Sequence, residues 1–471
     1  MSNALKLGAK RPVDGKQDLG AYVLDPDHLT THGVIVGMTG SGKTGLVMVL
    51  VEEALANEIP VLVIDVKGDL PNLLLAVPSF DPEPLAPWVE APRGDEDGIA
   101  DPPLVAEVAA KRASSLRSWG IDEDAPRDFG EKHHIRIVTP GSDAGEQLHL
   151  LSALERRSPR WDDDLEGARS TLGAAISLVM RLVGRDAEPG KSREHALLSV
   201  LAEKRLIAGK DASLGALVPE ILEPPFVTIG ALEVDEFLSP RARKELAADL
   251  NTLLAAPSLA GWRTGASLDV AAWMAPVEGK TPATVVSVAH LDEDECQMVL
   301  GVILEEVLTW VRTLPGTSQL RALVVFDEMY GFVPPHPASP PTKRPIVSLM
   351  KQARAYGVGV VLATQNPMDL DYRALSNAGL WMLGRLQTDA DRERVLEGLG
   401  ETGKKSPLGN VLKKLPPRWF VVRNSHDKGP PMLLQPRYAI SYLRGPMTRE
   451  EIRKARLPRD AAFETTVEEN Q

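Results

Sequence analysis

Short apolar runs recur along the chain, and several of them end in a polar or acidic residue. Their centres are continuously apolar rather than alternating, which is typical of strands buried on both faces of a parallel sheet. We predict such strands at residues 33–36, 61–65, 135–139, 284–289, 323–327, 358–364 and 381–386.

Helical patterns lie between several of these strands. One is at residues 44–56, directly after the first strand, and two more, at 295–314 and 345–356, flank the strand at 323–327. Alternation of strands and helices indicates crossover connections between parallel strands. The expected fold class is therefore α/β, with a mostly parallel sheet flanked by helices.

Two stretches interrupt this alternation. Residues 81–130 are acidic and rich in proline, and we interpret them as an insertion with one short helix at 105–118. Residues 152–280 carry mostly helical patterns, and we interpret them as a helical insertion of about a domain's size. The predicted core is then made of residues 1–80, a strand within 131–151 and residues 281–400, followed by a basic C-terminal extension and tail at 401–471.

Composition narrows the class of protein. Of the 471 residues, 43% are hydrophobic and 25% are charged, a globular balance that excludes a wholly disordered chain. The single cysteine, Cys296, excludes an intrachain disulfide and a cysteine-based zinc site. No apolar run approaches the roughly 20 residues of a membrane span, and no secretory signal is visible, so we expect a cytoplasmic protein without a membrane partner. The net charge of -12 argues against a uniformly basic nucleic-acid surface but permits a local basic channel.

A phosphate-binding loop is the strongest chemical signal. The pattern GxxxxGK[ST] is matched, between a strand and a helix, by Gly37, Met38, Thr39, Gly40, Ser41, Gly42, Lys43 and Thr44. Glycines allow the backbone N–H groups to wrap a polyphosphate, and the helix start favours negative charge. Lys43 would reach the β and γ phosphates, and the Thr44 hydroxyl would bind Mg²⁺. The expected cofactors are ATP and Mg²⁺.

Two acids at the end of an apolar strand predict hydrolysis. Asp327 would lie behind the Mg²⁺, and Glu328 would polarise the attacking water as a general base. A second strand ends in Asp65 and is followed by Asp69. These two acids have two open interpretations, a place on the γ-phosphate side or a role in the turn.

A polar strand end and two arginines complete the candidate residues. Gln365 follows the strand at 358–364, where it would sense the γ-phosphate, or would merely mark the strand's exit before Pro367. An arginine supplied by a neighbouring subunit can stabilise phosphoryl transfer. Arg385 and Arg354 are the candidates for this finger, and plain surface arginine is the alternative for either.

Taken together, these motifs resemble the HerA/FtsK superfamily of P-loop ATPases, and the chain looks closest to HerA-like members. The resemblance lies in the P-loop, in VIDVKGD at 63–69, in the Asp327-Glu328 strand, and in the segments at 351–371 and 375–399. It implies a RecA-like core that forms a homo-hexamer, moves double-stranded DNA without sequence specificity, and works with a nuclease or other effector. By motif match it assigns catalytic roles to Lys43, Asp327, Glu328, Gln365 and Arg385.

A DNA channel would need basic residues facing the phosphates. The C-terminal candidates are Lys413, Lys414, Arg418, Arg423, Arg437, Arg444 and Arg449, within a segment that also carries the strand-like runs 419–422 and 432–434. We favour slightly the simpler interpretation, a sheet extension with solvated basic residues. A protein-translocating ATPase, or a scaffold ATPase whose assembly organises an effector, is the alternative function.

Overall fold

The computed structural model describes residues 4–14, 18–91, 100–185, 188, 190–371, 374, 376–399 and 407–457. The chain forms two compact units. The first comprises Met1–Val138, Ala271–Leu291 and Leu314–Gln471, and the second comprises Thr139–Val270 and Asp292–Thr313. None of the described helices is long and apolar enough to cross a membrane.

In the described residues, the framework of the first unit is a sheet of eleven strands in the order β2-β1-β15-β14-β13-β3-β12-β11-β4-β10-β5. The neighbours from β13 to β5 pair in parallel, whereas β14, β15, β1 and β2 pair antiparallel. The strands are β1 (Leu5–Pro12), β2 (Ala21–Leu24), β3 (Gly33–Val36), β4 (Val61–Asp65), β5 (His133–Val138), β10 (Thr281–Ser287), β11 (Thr317–Asp327), β12 (Tyr356–Thr364), β13 (Leu380–Leu383), β14 (Phe420–Asn424) and β15 (Met432–Pro436).

The described helices of this unit are α1 (Lys43–Ala56), α2 (Pro82–Leu85), α3 (Pro102–Arg117), α4 (Asp124–Lys132), α15 (Lys343–Gln352), α16 (Asp389–Gly398) and α17 (Pro407–Lys414). The apolar runs of the sequence become its central strands, and every residue of β3 and β4 is buried. The expected α/β fold with a mostly parallel sheet is thus confirmed, with the antiparallel strands added at one edge.

The second unit is mostly helical, as its patterns indicate. Its helices are α5 (Ser152–Glu155), α6 (Arg160–Asp163), α7 (Leu165–Leu182), α8 (Arg193–Ile207), α9 (Leu214–Leu222), α10 (Val234–Phe237), α11 (Pro240–Ala255), α12 (Pro257–Arg263) and α14 (Glu293–Thr313); α13 (Val270–Met274) lies at the unit's boundary. Its short strands are β6 (Leu148–His149), β7 (Thr228–Ile229), β8 (Leu232–Glu233) and β9 (Ala266–Ser267).

Several predictions differ from the structure in detail. The helix expected to reach residue 356 ends at Gln352, and β12 already begins at Tyr356. Gly357 explains the early change: its φ is +71°, and a Cβ there would lie 2.3 Å from the carbonyl oxygen of Gln319. The last parallel strand ends at Leu383, so Arg385 lies in the following loop. The described part of the acidic stretch, in which we predicted one helix, holds α2, α3 and the start of α4.

Candidate nucleotide site

The candidate residues meet because parallel strands place their carboxyl ends at one edge of a sheet. Thr364 pairs with Val36, and Asp327 pairs with Asp65 in the neighbouring strand. The order β3-β12-β11-β4 therefore sets the P-loop, Gln365, the Asp327-Glu328 pair and the turn after β4 side by side.

The P-loop has the conformation that its glycines predict. Gly40 and Gly42 have φ values of 77° and 94°, and Gly42 is the N-cap of α1. The Lys43 ammonium is buried and donates to the carbonyl oxygens of Gly37 at 2.5 Å and Met38 at 3.4 Å. Burial lowers the pKa of Lys43 to about 8, although the charges of Glu328 and Asp327 oppose that shift.

Asp65 and Asp327 are buried acids at paired positions of adjacent strands. Burial, and then the charge of Asp327, raises the pKa of Asp65 to about 7. Asp65 accepts hydrogen bonds from the Gly68 N–H at 2.9 Å and the Ser287 hydroxyl at 3.0 Å. These contacts close the turn after β4. A structural role in that turn therefore explains the position of Asp65 without a contact to phosphate.

Of these two buried acids, Asp327 is the one with a carboxylate oxygen that can still bind a ligand. Burial raises its pKa to about 6, with Lys67 opposing the shift. Its Oδ2 is buried and has no hydrogen-bond partner among the described residues. Thr44 lies in the first turn of α1, so its hydroxyl and Asp327 Oδ2 are the two oxygens of this site that would hold a Mg²⁺ ion. In the described part of the chain, no group of three or more His, Cys, Asp or Glu is placed to hold a metal on its own.

Glu328 sits in a strained backbone conformation and is held by two contacts. Its φ is +76°, which is uncommon for a residue other than glycine, and such strained conformations cluster at functional sites. Its Oε2 accepts from the Lys67 ammonium at 2.6 Å, and its Oε1 accepts from the Gln365 N–H at 3.4 Å. The Gln365 side-chain oxygen in turn accepts from the Thr39 hydroxyl at 2.6 Å. A chain of polar contacts thus joins all four segments.

Lys67 was missed by the sequence interpretation. It lies two residues beyond the end of β4, in the segment VIDVKGD that carried the resemblance, and its position after a strand that neighbours β11 was the available signal. A lysine follows many strands, however, and only the strand order shows that this one faces Glu328.

The two arginine candidates lie at opposite ends of the parallel strands, Arg385 after the carboxyl end of β13 and Arg354 before the amino end of β12. The Arg385 carbonyl accepts from the Met38 N–H at 3.0 Å, so this exposed residue is beside the P-loop of its own chain. Arg354 precedes β12, whose nine residues span about 30 Å. The charge of Arg354, after burial, helps to lower the pKa of His32, at the start of β3, to about 4. Arg354 is therefore out of reach of its own P-loop.

Several basic residues proposed for DNA contact are engaged within the chain. Arg437 is buried and pairs with Glu52 and Glu53. Arg444 pairs with Glu90 and Glu451. The C-terminal strands fold into the sheet, so these guanidiniums fix that extension to the core. The arginines that bond to backbone carbonyls are Arg418 and Arg423, and the candidates that stay exposed are Lys413, Lys414 and Arg449.

Comparisons with known proteins agree with this geometry. Residues 16–88, which include the P-loop and Lys67, match the family model of the central domain of helicase HerA. VirB4 of Thermoanaerobacter pseudethanolicus superposes with a TM-score of 0.53 at 15% identity, over 92% of this chain and 96% of that one. The bacterial conjugative coupling protein TrwB, in an unbound form, gives 0.50 at 12% identity, over 95% and 92%. No curated protein matches the sequence.

At these identities the structural likeness concerns the fold. It extends over nearly the whole of this chain. The expected resemblance to P-loop ATPases of the HerA/FtsK type is confirmed: residues 16–88 match the HerA central domain, and the chain has the RecA-like α/β fold of VirB4 and TrwB.

Proposed function

We propose that this protein is an ATP-hydrolysing motor that assembles into a ring and moves double-stranded DNA, in partnership with a nuclease or other effector. The observation that carries the proposal is the meeting of Lys43, Asp327, Glu328 and Gln365 at one sheet edge, beside a P-loop of the right form.

Each residue has a part in hydrolysis. The N–H groups from Gly37 to Thr44 and the Lys43 ammonium bind the phosphates. Thr44 and Asp327 would hold Mg²⁺, which would supply positive charge against the phosphates. Glu328 takes a proton from the attacking water. The base faces the reaction because its strained φ turns the carboxylate towards Lys67 and the Gln365 backbone.

Gln365 links the γ-phosphate region to the phosphate loop. Its side-chain amide bonds Thr39 while its N–H bonds Glu328. Loss of the γ-phosphate removes negative charge beside both of these hydrogen bonds. A resulting shift of Gln365 would move the end of β12, which it directly follows. Such a movement is the step that a motor must couple to its track.

A ring is favoured by the arginine positions. Arg354 is far from its own P-loop and suits a finger that acts on a neighbouring subunit, whereas Arg385 lies at its own P-loop and suits a role in cis. We propose a homo-hexamer on the model of the HerA resemblance. Non-specific DNA binding is supported by that same match at 16–88 and by exposed Lys413, Lys414 and Arg449.

The test is steady-state ATP hydrolysis at low salt, with and without linear double-stranded DNA. Glu328→Gln serves as the blank because it keeps the shape of the base while removing its basicity. We expect a severalfold rise with DNA that is absent in the variant. Hydrolysis that ignores DNA, with no DNA binding at low salt, would contradict the motor and favour a protein-translocating or scaffold ATPase instead.

Those alternatives have their own signature. In a scaffold ATPase the oligomer size changes with ATP while DNA has little effect on the rate, and in a protein translocase a polypeptide replaces DNA as the stimulant. Sedimentation of the full chain with and without ATP separates the first of these from the motor.

A further inference from the structure

The strand order indicates on which side of the P-loop the γ-phosphate lies and on which side the nucleoside lies. Glu328, Gln365 and Lys67 all lie on the β12-β11-β4 side of β3. The γ-phosphate of the proposed function must point to that side, because the general base and the attacking water are there. The nucleoside therefore leaves the P-loop on the opposite side, where β13, β14 and β15 follow β3 in the sheet.

The C-terminal segment forms a wall on that opposite side. The Arg418 N–H donates to the Ser41 carbonyl at 2.8 Å, and a Cβ at Gly42 would lie 3.0 Å from Arg418 Cγ. Further along α1, a Cβ at Gly45 would lie 4.0 Å from a methyl group of Leu443. Arg418 and Leu443 thus lie beside the start of the helix that receives the phosphates.

This wall carries a preformed stack. The Arg418 guanidinium carbon is 3.5 Å from the centre of the Tyr438 ring. The guanidinium is fixed by bonds to the carbonyl oxygens of Pro436 at 2.9 Å and Arg437 at 3.1 Å. The Tyr438 backbone is fixed as well, since its carbonyl accepts from buried Arg437 at 2.8 Å.

The stack is nevertheless open to solvent. Tyr438 is 42% exposed and Leu443 is 39% exposed, although both are large side chains. An aromatic ring, a planar cation and an aliphatic side chain next to a phosphate site are the groups on which nucleobases stack, and every base offers a π face to them.

We propose that Arg418, Tyr438 and Leu443 form the nucleoside subsite of this ATPase, with the base stacked on the open side of the Arg418–Tyr438 pair. The inference rests on the proposed function for the direction of the phosphates. It adds that the C-terminal extension, which the motifs do not cover, supplies base affinity. Stacking without directed hydrogen bonds favours purines by their larger rings, and it accepts guanine as well as adenine.

The experiment is calorimetric binding of Mg-ATP and of Mg-tripolyphosphate, which has the phosphates without the nucleoside, to the full chain. Tyr438→Ala is expected to weaken ATP binding about tenfold or more, as base stacking is typically worth, and to leave tripolyphosphate binding within about twofold. Tyr438→Phe is the matched control, because it keeps the ring, and it should bind both ligands as the wild type does.

Two results would overturn the subsite. Equal weakening of ATP and tripolyphosphate by Tyr438→Ala would assign Tyr438 to the framework of the P-loop, and unchanged ATP binding would place the base elsewhere. Both differ from a failure of the proposed function, in which wild type and Lys43→Ala bind ATP and tripolyphosphate equally poorly.

Discussion

Substitution of Arg437 tests whether the basic C-terminal extension stabilises the fold or binds DNA. Its guanidinium donates to Glu52 at 2.8 Å and to Glu53 at 2.9 and 3.1 Å, while the side chain is only 8% exposed. Glu52 lies on α1, the helix that begins with Lys43. Arg437→Ala therefore leaves a fully buried carboxylate without its cation and weakens the attachment of the C-terminal segment to the nucleotide-binding helix.

The size of the effect follows from the contacts that are left. Removing one partner of a buried pair costs about 3–5 kcal/mol. Glu52 still accepts from the N–H groups of Ile440 at 3.0 Å and Ser441 at 2.9 Å, so we expect the lower end of that range. About 3 kcal/mol corresponds to a little over a hundredfold in an opening equilibrium.

Hydrogen exchange followed by mass spectrometry measures this locally. Amides of α1 and β15 in Arg437→Ala should exchange about a hundredfold faster than in the wild type. Arg449→Ala, which removes an exposed arginine from the same extension, should change protection little. Unchanged protection in Arg437→Ala, together with weaker DNA binding, would refute the reasoning and make Arg437 a DNA contact.

Three further predictions concern the site. Lys67→Met should lower kcat for ATP about tenfold, because Glu328 loses the cation that orients it, and Lys67→Arg should recover part of the rate; equal kcat values in steady-state assays would dismiss Lys67. Arg354→Ala should lower kcat by about a hundredfold or more at unchanged ATP affinity if it acts on a neighbour, whereas a loss of affinity measured by calorimetry would speak against a trans role. The pKa of Asp65 is raised to about 7 in the folded protein. The contribution of protonated Asp65 to the free energy of unfolding is therefore fully present below pH 4 and is lost as the pH rises to about 7. Asp65→Asn should flatten the fall in the thermal midpoint over that range in Mg²⁺-free buffer, and an unaltered slope would show that another group is responsible.

The parallel half of the sheet was predictable because each of its strands carries enough apolar residues to fill two buried faces. β4 reads VLVID and β11 ends in LVVFD, and both were found with their terminal acids. The P-loop, Asp327 and Glu328 then followed from motif and context. Strand β1, which lies between β2 and β15, was missed because its sequence, LKLGAKRP, is polar along much of one face and ends in proline.

Contacts between distant segments were beyond the sequence. Nothing in the residues around Lys67 or Arg437 distinguishes a lysine or arginine that pairs with a core glutamate from one that faces solvent. The seven basic candidates of the extension therefore looked alike, and only the register of β15 with β1 and the position of α1 separate the buried Arg437 from exposed Arg449. The same limit applied to Arg385 and Arg354, whose distance from the P-loop depends on which end of a strand each one occupies.

Movement along DNA is the central claim, and displacement of a third strand from a triplex tests it most directly. The full chain is loaded on linear double-stranded DNA that carries a labelled triplex-forming strand at one end, and release of that strand is followed after ATP is added. We predict ATP-dependent release by the wild type and none by Glu328→Gln. ATP hydrolysis by the wild type without release above the level of that variant would contradict the motor.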